Sequence, residues 1–137
     1  MDRLSTARVI AASVALTAGL AGSAAAATHW TTATHLNCNS RTAHVGRSLH
    51  CGVSVSTIGG RGSARPATGM AILTSTAGGS LGNGGRCVLV PVNRRTARCS
   101  FVFVAPTGAR TATLRAAYAG DATHGSSTAS RTVAVRP

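Results

Sequence analysis

The sequence predicts an all-β protein: a sandwich of about seven short antiparallel strands behind a secretory leader. Three observations predict it. Apolar residues alternate with polar ones along several runs, the period of a strand with one face turned inward. Glycine and proline break those runs at fairly regular intervals. No helical period survives beyond the first 27 residues.

The first 27 residues read as a signal peptide. Arg3 and Arg8 supply a positive start, and Val9–Gly22 is uncharged and rich in Ala, Val and Leu. Ala25 and Ala27 then fit the small-x-small cleavage rule, which puts the cut after Ala27. An uncleaved anchor would need ~20 apolar residues, and this stretch is shorter and broken at Gly19 and Gly22. Residues 28–137 would then form a single domain with no transmembrane segment left after processing. The expected location is extracellular, either released or associated with the cell wall, since Ala134–Pro137 shows neither an apolar tail nor a sorting signal.

Such a domain would have a thin core. Leu, Ile, Val and Phe supply 20 of residues 28–137, 18% of them, close to the composition of disordered chains. Four cysteines offer a supplement, because an even count behind a leader reads as disulfides. Cys38 and Cys51 are 13 apart, and Cys87 and Cys99 are 12 apart. The midpoint of the first pair falls beside Gly46, and that of the second at Asn93, after Pro91; both are turn-like. The expected pairing is therefore Cys38–Cys51 and Cys87–Cys99, each across a hairpin and each within one sheet. Neither pair has the short spacing of a zinc ribbon, so no metal is expected there.

The strands are expected near 31–38, 48–57, 68–75, 86–91, 96–104, 110–119 and 128–135. Leu49, Cys51, Val53 and Val55 alternate cleanly with His50, Gly52, Ser54 and Ser56. Phe101 and Phe103 alternate with Val102 and Val104, so that strand is expected to be buried on both faces. Leu114, Ala116 and Tyr118 mark the next inward face, and Val133 and Val135 the last. Met70-Ala71-Ile72-Leu73 is apolar throughout, which leaves its inward face open.

Thr31-Thr32-Ala33-Thr34, Val45-Gly46, Pro66-Ala67-Thr68-Gly69, and Tyr118-Ala119-Gly120-Asp121 followed by Gly125-Ser126-Ser127 occur in that order. In order and spacing, and in the placement of the four cysteines, the chain resembles a bacterial Ig-like repeat domain of the secreted, cysteine-containing variety. The resemblance implies an Ig-like antiparallel β-sandwich with a structural or adhesive role and no catalysis. The chain departs from the family in being a single module and in being strongly basic, and Trp30 lies outside the expected core.

Charge is the feature that bears most on function. The whole chain carries 14 Arg and no Lys against 2 acids, a net +12. Residues 28–137 keep twelve of those arginines and one acid, Asp121. Enzyme designs built on paired carboxylates are excluded. Arg94, Arg95 and Arg98 cluster around one expected hairpin, Arg61 and Arg65 share a loop, and Arg86 borders another. These six are the candidate anion-binding residues, and their field should attract an anionic cell-wall polymer or polysaccharide. No aromatic is interleaved with the basic cluster, so a stacking platform for single strands is not expected, and no specific nucleic-acid partner is expected.

Asp121, His124 and Ser126 invite a triad reading, but they sit on one turn, and Asp121 is better explained as the cap of that turn, with a nearby Arg as a further partner. His35, His44 and His50 could meet only as solvated surface groups or a weak metal site. No catalytic residue, cofactor or metal is expected. The function that follows is a non-enzymatic secreted module with a structural or adhesive role at the bacterial cell surface or in the extracellular matrix. The alternative is a secreted cationic effector, antimicrobial or membrane-active, which would need exposed apolar groups beside the arginines; Met70, Ile72, Val102 and Val104 are the candidates. A small hydrolase has the least support.

Overall fold

A computed structural model of the chain describes residues 29–137. The expected leader, 1–27, lies outside the described residues. Ten strands follow in order: β1 (Thr31–Cys38), β2 (Thr42–His44), β3 (Ser48–Gly59), β4 (Met70–Ser75), β5 (Ser80–Leu81), β6 (Arg86–Val88), β7 (Val90–Pro91), β8 (Thr96–Val104), β9 (Thr111–Tyr118) and β10 (Ser127–Arg136). All seven expected strands are present. The one expected at 86–91 is split into β6 and β7, and β2 and β5 are short additions that the sequence reading missed.

The strands form two sheets. One runs β1-β3-β8, with β5 and β7 both paired to the far edge of β8. The other runs β2-β10-β9-β4-β6. Pairing is antiparallel except for β2, which lies parallel to β10. The order β1-β3-β8-β7 facing β10-β9-β4 is the strand arrangement of an Ig-like sandwich.

Alternation places the core where the sequence implied. Val53, Val55, Phe103, Leu114 and Val133 are fully buried between the sheets, each worth ~1.5–3 kcal/mol of apolar burial. Ala71, Ala97, Ala112 and Ala116 complete the inner faces with no exposed surface at all. In β4 the inward residues are Ala71 and Leu73, and Met70 and Ile72 face solvent. Val102 and Val104 are half-buried, so β8 has one core face rather than the two expected.

The two open sides of the sandwich are closed differently. Between β1 and β10 the seam is polar. The Ser127 hydroxyl meets those of Thr32 and Thr34 at 2.8 and 2.7 Å, and Arg131 donates to the Asn37 side chain at 3.1 Å. The opposite side is closed by sulfur. Cys38–Cys51 joins directly opposed residues of β1 and β3 within one sheet, as expected. Cys87–Cys99 also forms, but it joins β6 of one sheet to β8 of the other.

This corrects the expected placement of the second cystine within one sheet. The chain changes sheets at Leu89, whose side chain is buried and whose N–H donates to Gly69 O at 2.9 Å. Before that switch Arg86–Val88 pairs with β4. After it, Val90 and Pro91 pair with Arg98 and Ala97. The hairpin register therefore starts beyond Cys87 and leaves it free to reach across the sandwich.

Either cystine closes a loop of 13 or 12 residues, worth ~3 kcal/mol in chain entropy. Replacing one pair with alanine should lower the unfolding free energy by about that amount in urea titrations. Replacing both should leave no cooperative transition at 37 °C.

Candidate functional site

The C-terminal end of β9 carries a compact polar knot. Gly120 turns the chain with φ 91°, and a Cβ there would lie 2.5 Å from His124 O, so the position requires glycine. The turn delivers Asp121 into a ring of donors. Its Oδ1 accepts the N–H groups of Thr123 and His124, both at 2.8 Å. Its Oδ2 accepts the N–H and hydroxyl of Thr68, both at 2.9 Å, from the loop before β4. The Tyr118 hydroxyl shares its hydrogen between Thr68 O at 3.0 Å and Asp121 Oδ2 at 3.1 Å.

His124 completes the knot and is only 3% exposed. Its Nδ1 lies 2.8 Å from Asp121 Oδ1, and its Nε2 lies 2.9 Å from Arg65 O. Carboxylate and carbonyl both accept, so the ring is held between two acceptors. Arg65 O also accepts the Thr57 hydroxyl at 2.8 Å, which ties in the end of β3. Trp30 covers the ring, 6.3 Å away and tilted by 37°, while its backbone pairs with Thr123 O and Gly125 N.

Burial alone would push the Asp121 carboxyl up, but the N–H groups of Thr123 and Thr68, the His124 ring and the Thr68 hydroxyl outweigh it. The carboxyl is held well below the usual carboxylate range. Burial, and then the neighbouring Asp121 carboxylate, hold the Tyr118 phenol well above its ordinary value. Asp121 thus caps its own turn, as the sequence implied, and also anchors the loop before β4. Its side-chain partner in the knot is the His124 ring and not the Arg that was expected.

The Asp121, His124 and Ser126 side chains do not form a relay. The imidazole nitrogen that would activate a hydroxyl is occupied by the Arg65 carbonyl, and Ser126 is exposed to solvent. His35 and His50 share the outer face of β1 and β3, but His44 lies on β2 in the other sheet. No group of three or more His, Cys, Asp or Glu among the described residues is placed to hold a metal ion.

The six candidate arginines are all exposed. Arg94 and Arg95 occupy the β7–β8 turn, which Asn93 fixes by accepting the N–H groups of Arg95 and Thr96 at 2.8 and 2.9 Å. The Thr57 N–H donates to Arg95 O while the Thr57 hydroxyl donates to Arg65 O. The turn bearing Arg94 and Arg95 therefore meets the loop bearing Arg61 and Arg65 at one end of the sandwich. Arg86 and Arg98 line one groove of about 720 Å³ beside the inter-sheet cystine. Among the described residues, no arginine forms an ion pair with an acid.

Two surface features escaped the sequence reading. Val88, Val90 and Val92 are 64, 59 and 53% exposed, and Val88 pairs with the outward Met70. The stretch 86–91 read as one strand because its apolar character hid the sheet switch at Leu89. A depression over Gly52, between His35, His50 and Arg98, is the second; its signal was a glycine at an outward position of a long strand.

Comparison with models of known protein families and with curated proteins finds no match to this chain.

Asp121 is the sole Asp or Glu in residues 28–137, so it should dominate the acid limb of stability. A depressed native pKa means stabilisation that is complete above the ordinary carboxyl pKa of ~3.9 and lost as pH falls below it. The unfolding free energy should therefore fall by up to ~1.4 kcal/mol per pH unit below about pH 4. Asp121→Asn should start lower by roughly 3 kcal/mol and show a flatter profile between pH 5 and 2 in urea titrations.

Proposed function

We propose that the protein is a non-enzymatic, secreted structural or adhesive module of the bacterial surface or extracellular matrix, held there by anionic polymers. One observation carries the reading. Twelve arginines stand on the described residues, and their lone acid is consumed by a buried contact with His124. The positive field is therefore uncompensated within the described fold, and its counter-charge comes from outside. Two cystines and the lack, among the described residues, of any helix long and apolar enough to cross a membrane are compatible with an extracellular setting. The paired loop and turn bearing Arg61, Arg65, Arg94 and Arg95 offer a concentrated source of that field at one end.

A second reading has an observation of its own. Val88, Val90 and Val92 expose apolar surface between Arg86 and the Arg94–Arg95 turn, the pairing of apolar and cationic groups that a membrane-active effector needs. Dye release from phosphatidylglycerol vesicles at micromolar protein would support it, and intact vesicles would dismiss it.

For the first reading, the oxidised protein should bind isolated bacterial cell walls at low salt and elute steeply as NaCl rises past ~0.15 M, where the Debye length is ~8 Å. Replacing Arg61, Arg65, Arg94 and Arg95 together with serine should move elution to lower salt without altering the fold. Retention indifferent to salt, or none at low salt, would reject the electrostatic reading.

A further inference from the structure

The outer face of the β1-β3-β8 sheet has an unusual relief. Register aligns outward residues in rows that cross the strands. Asn37, Gly52 and Ser100 form one row. His35, Ser54 and Arg98 form the next row on one side, and His50 and Val102 stand together on the other. The middle row has no side chain at its centre, so the sheet is trenched between two higher banks. The depression encloses about 600 Å³.

The trench does not stop at β8. The far edge of β8 is paired with β7 at Ala97 and Arg98 and with β5 at Phe103 and Val104. Between these contacts, around Ser100, no described strand pairs with that edge, because β6 has crossed to the other sheet. The gap opens onto the groove of about 720 Å³ lined by Arg86, Asn83 and Val88. Gly52, Arg98 and Ser100 line both cavities, so the two adjoin. With strands ~4.8 Å apart, the row from Asn37 through Gly52 to Ser100 spans roughly 10 Å, and the groove toward Arg86 extends it.

Nothing in the fold asks for a glycine at the floor. Gly52 has no positive φ, and an added Cβ would meet only Cys99 O, at 3.9 Å. Glycine inside a strand weakens it, and it commonly marks a place where something else must approach closely. The lining is rich in donors and holds no carboxylate: amides from Asn37 and Asn83, a hydroxyl from Ser100, and two guanidinium groups. Guanidinium forks match carboxylate and phosphate oxygens in geometry as well as charge.

We infer that this trench binds a linear, hydroxyl-bearing polyanion, with Arg98 and Arg86 engaging its acid groups and Asn37 and Ser100 its hydroxyls. The inference rests on the proposed attachment to anionic polymers and deepens it, replacing a diffuse field with a shaped site. The acid group is a carboxylate or a phosphate, and the choice of probe separates them.

The test is amide-shift titration of the ¹⁵N-labelled, oxidised protein with tetragalacturonate, a glycerol-phosphate oligomer and neutral maltotetraose. The expected result is that at least one anionic probe shifts the amides of Asn37, Gly52 and Ser100, and that maltotetraose does not. The probe that binds identifies the acid group. Gly52→Val fills the floor without changing charge and should weaken binding at least about tenfold with an unchanged unfolding midpoint. Ser100→Leu, at an exposed neighbouring position, gives the same reading should Gly52→Val fold poorly. Shifts confined to the Arg94–Arg95 turn, or undiminished binding by both filled variants, would overturn the trench and leave electrostatic attachment standing. No shift with either anionic probe at low salt would overturn both.

Discussion

A single carboxylate sets the geometry of one end of this molecule. Asp121 accepts from two N–H groups of its own turn and from both donors of Thr68, and it holds the His124 ring that reaches Arg65 O. The loop between β3 and β4 contains Gly60, Gly62 and Gly69 and has little apolar anchoring beyond Ala67. Its path is instead defined by these polar contacts. A buried charge is tolerated only when its lone pairs are satisfied, and here almost every one has a donor. Losing one partner would leave the remaining charge stranded, which makes the knot cooperative rather than a sum of separate bonds.

The rest of the fold is organised around scarcity of apolar volume. Alanine occupies many inner positions, so the sheets meet with few large side chains between them. Hydrophobic burial in so small a domain leaves little margin over conformational entropy. Each open side of the sandwich has accordingly acquired a fastening that is not hydrophobic. Hydroxyls of Thr32, Thr34 and Ser127 close the side between β1 and β10, and Cys87–Cys99 closes the other. The two cystines are thus not equivalent. One staples neighbours within a sheet, while the other fixes the spacing between sheets, next to the groove that holds Arg86 and Arg98.

Period-2 alternation made the seven main strands legible, because burial on one face leaves that pattern directly in the residues. Cysteine spacing made the Cys38–Cys51 pairing legible through register and turn position, whereas Cys87–Cys99 forms as expected but across the sheets and outside any hairpin register. What stayed hidden were events with no periodic signature. The crossing at Leu89 changes sheets within an unbroken apolar run, and nothing in Cys87-Val88-Leu89-Val90 distinguishes a residue facing the core from one facing solvent. The Arg65–His124 contact joins residues 59 positions apart through a backbone carbonyl, which carries no side-chain identity to read. Asp121 was visible as a turn cap because that role is local. Its second role, across the end of the sandwich, depends on a loop whose path only the folded chain defines.

Charge links these observations to function. A protein whose acids were spread over its surface would offset its arginines locally and present a mixed face to solvent. Here Asp121 is held in the knot, a single negative charge against twelve arginines, so it stabilises the fold and offsets little of the positive field. The loop and turn that meet there bring Arg61, Arg65, Arg94 and Arg95 to the same end, and Arg98 and Arg86 continue the positive surface down the sheet. In the proposed binding, attraction at a distance and shape at close range come from different parts of one surface. The field needs only the number of guanidinium groups, which Arg94 and Arg95 provide from a solvent-exposed turn. Discrimination needs a place where water is displaced and donors converge, and on that sheet the missing side chain at Gly52 creates it.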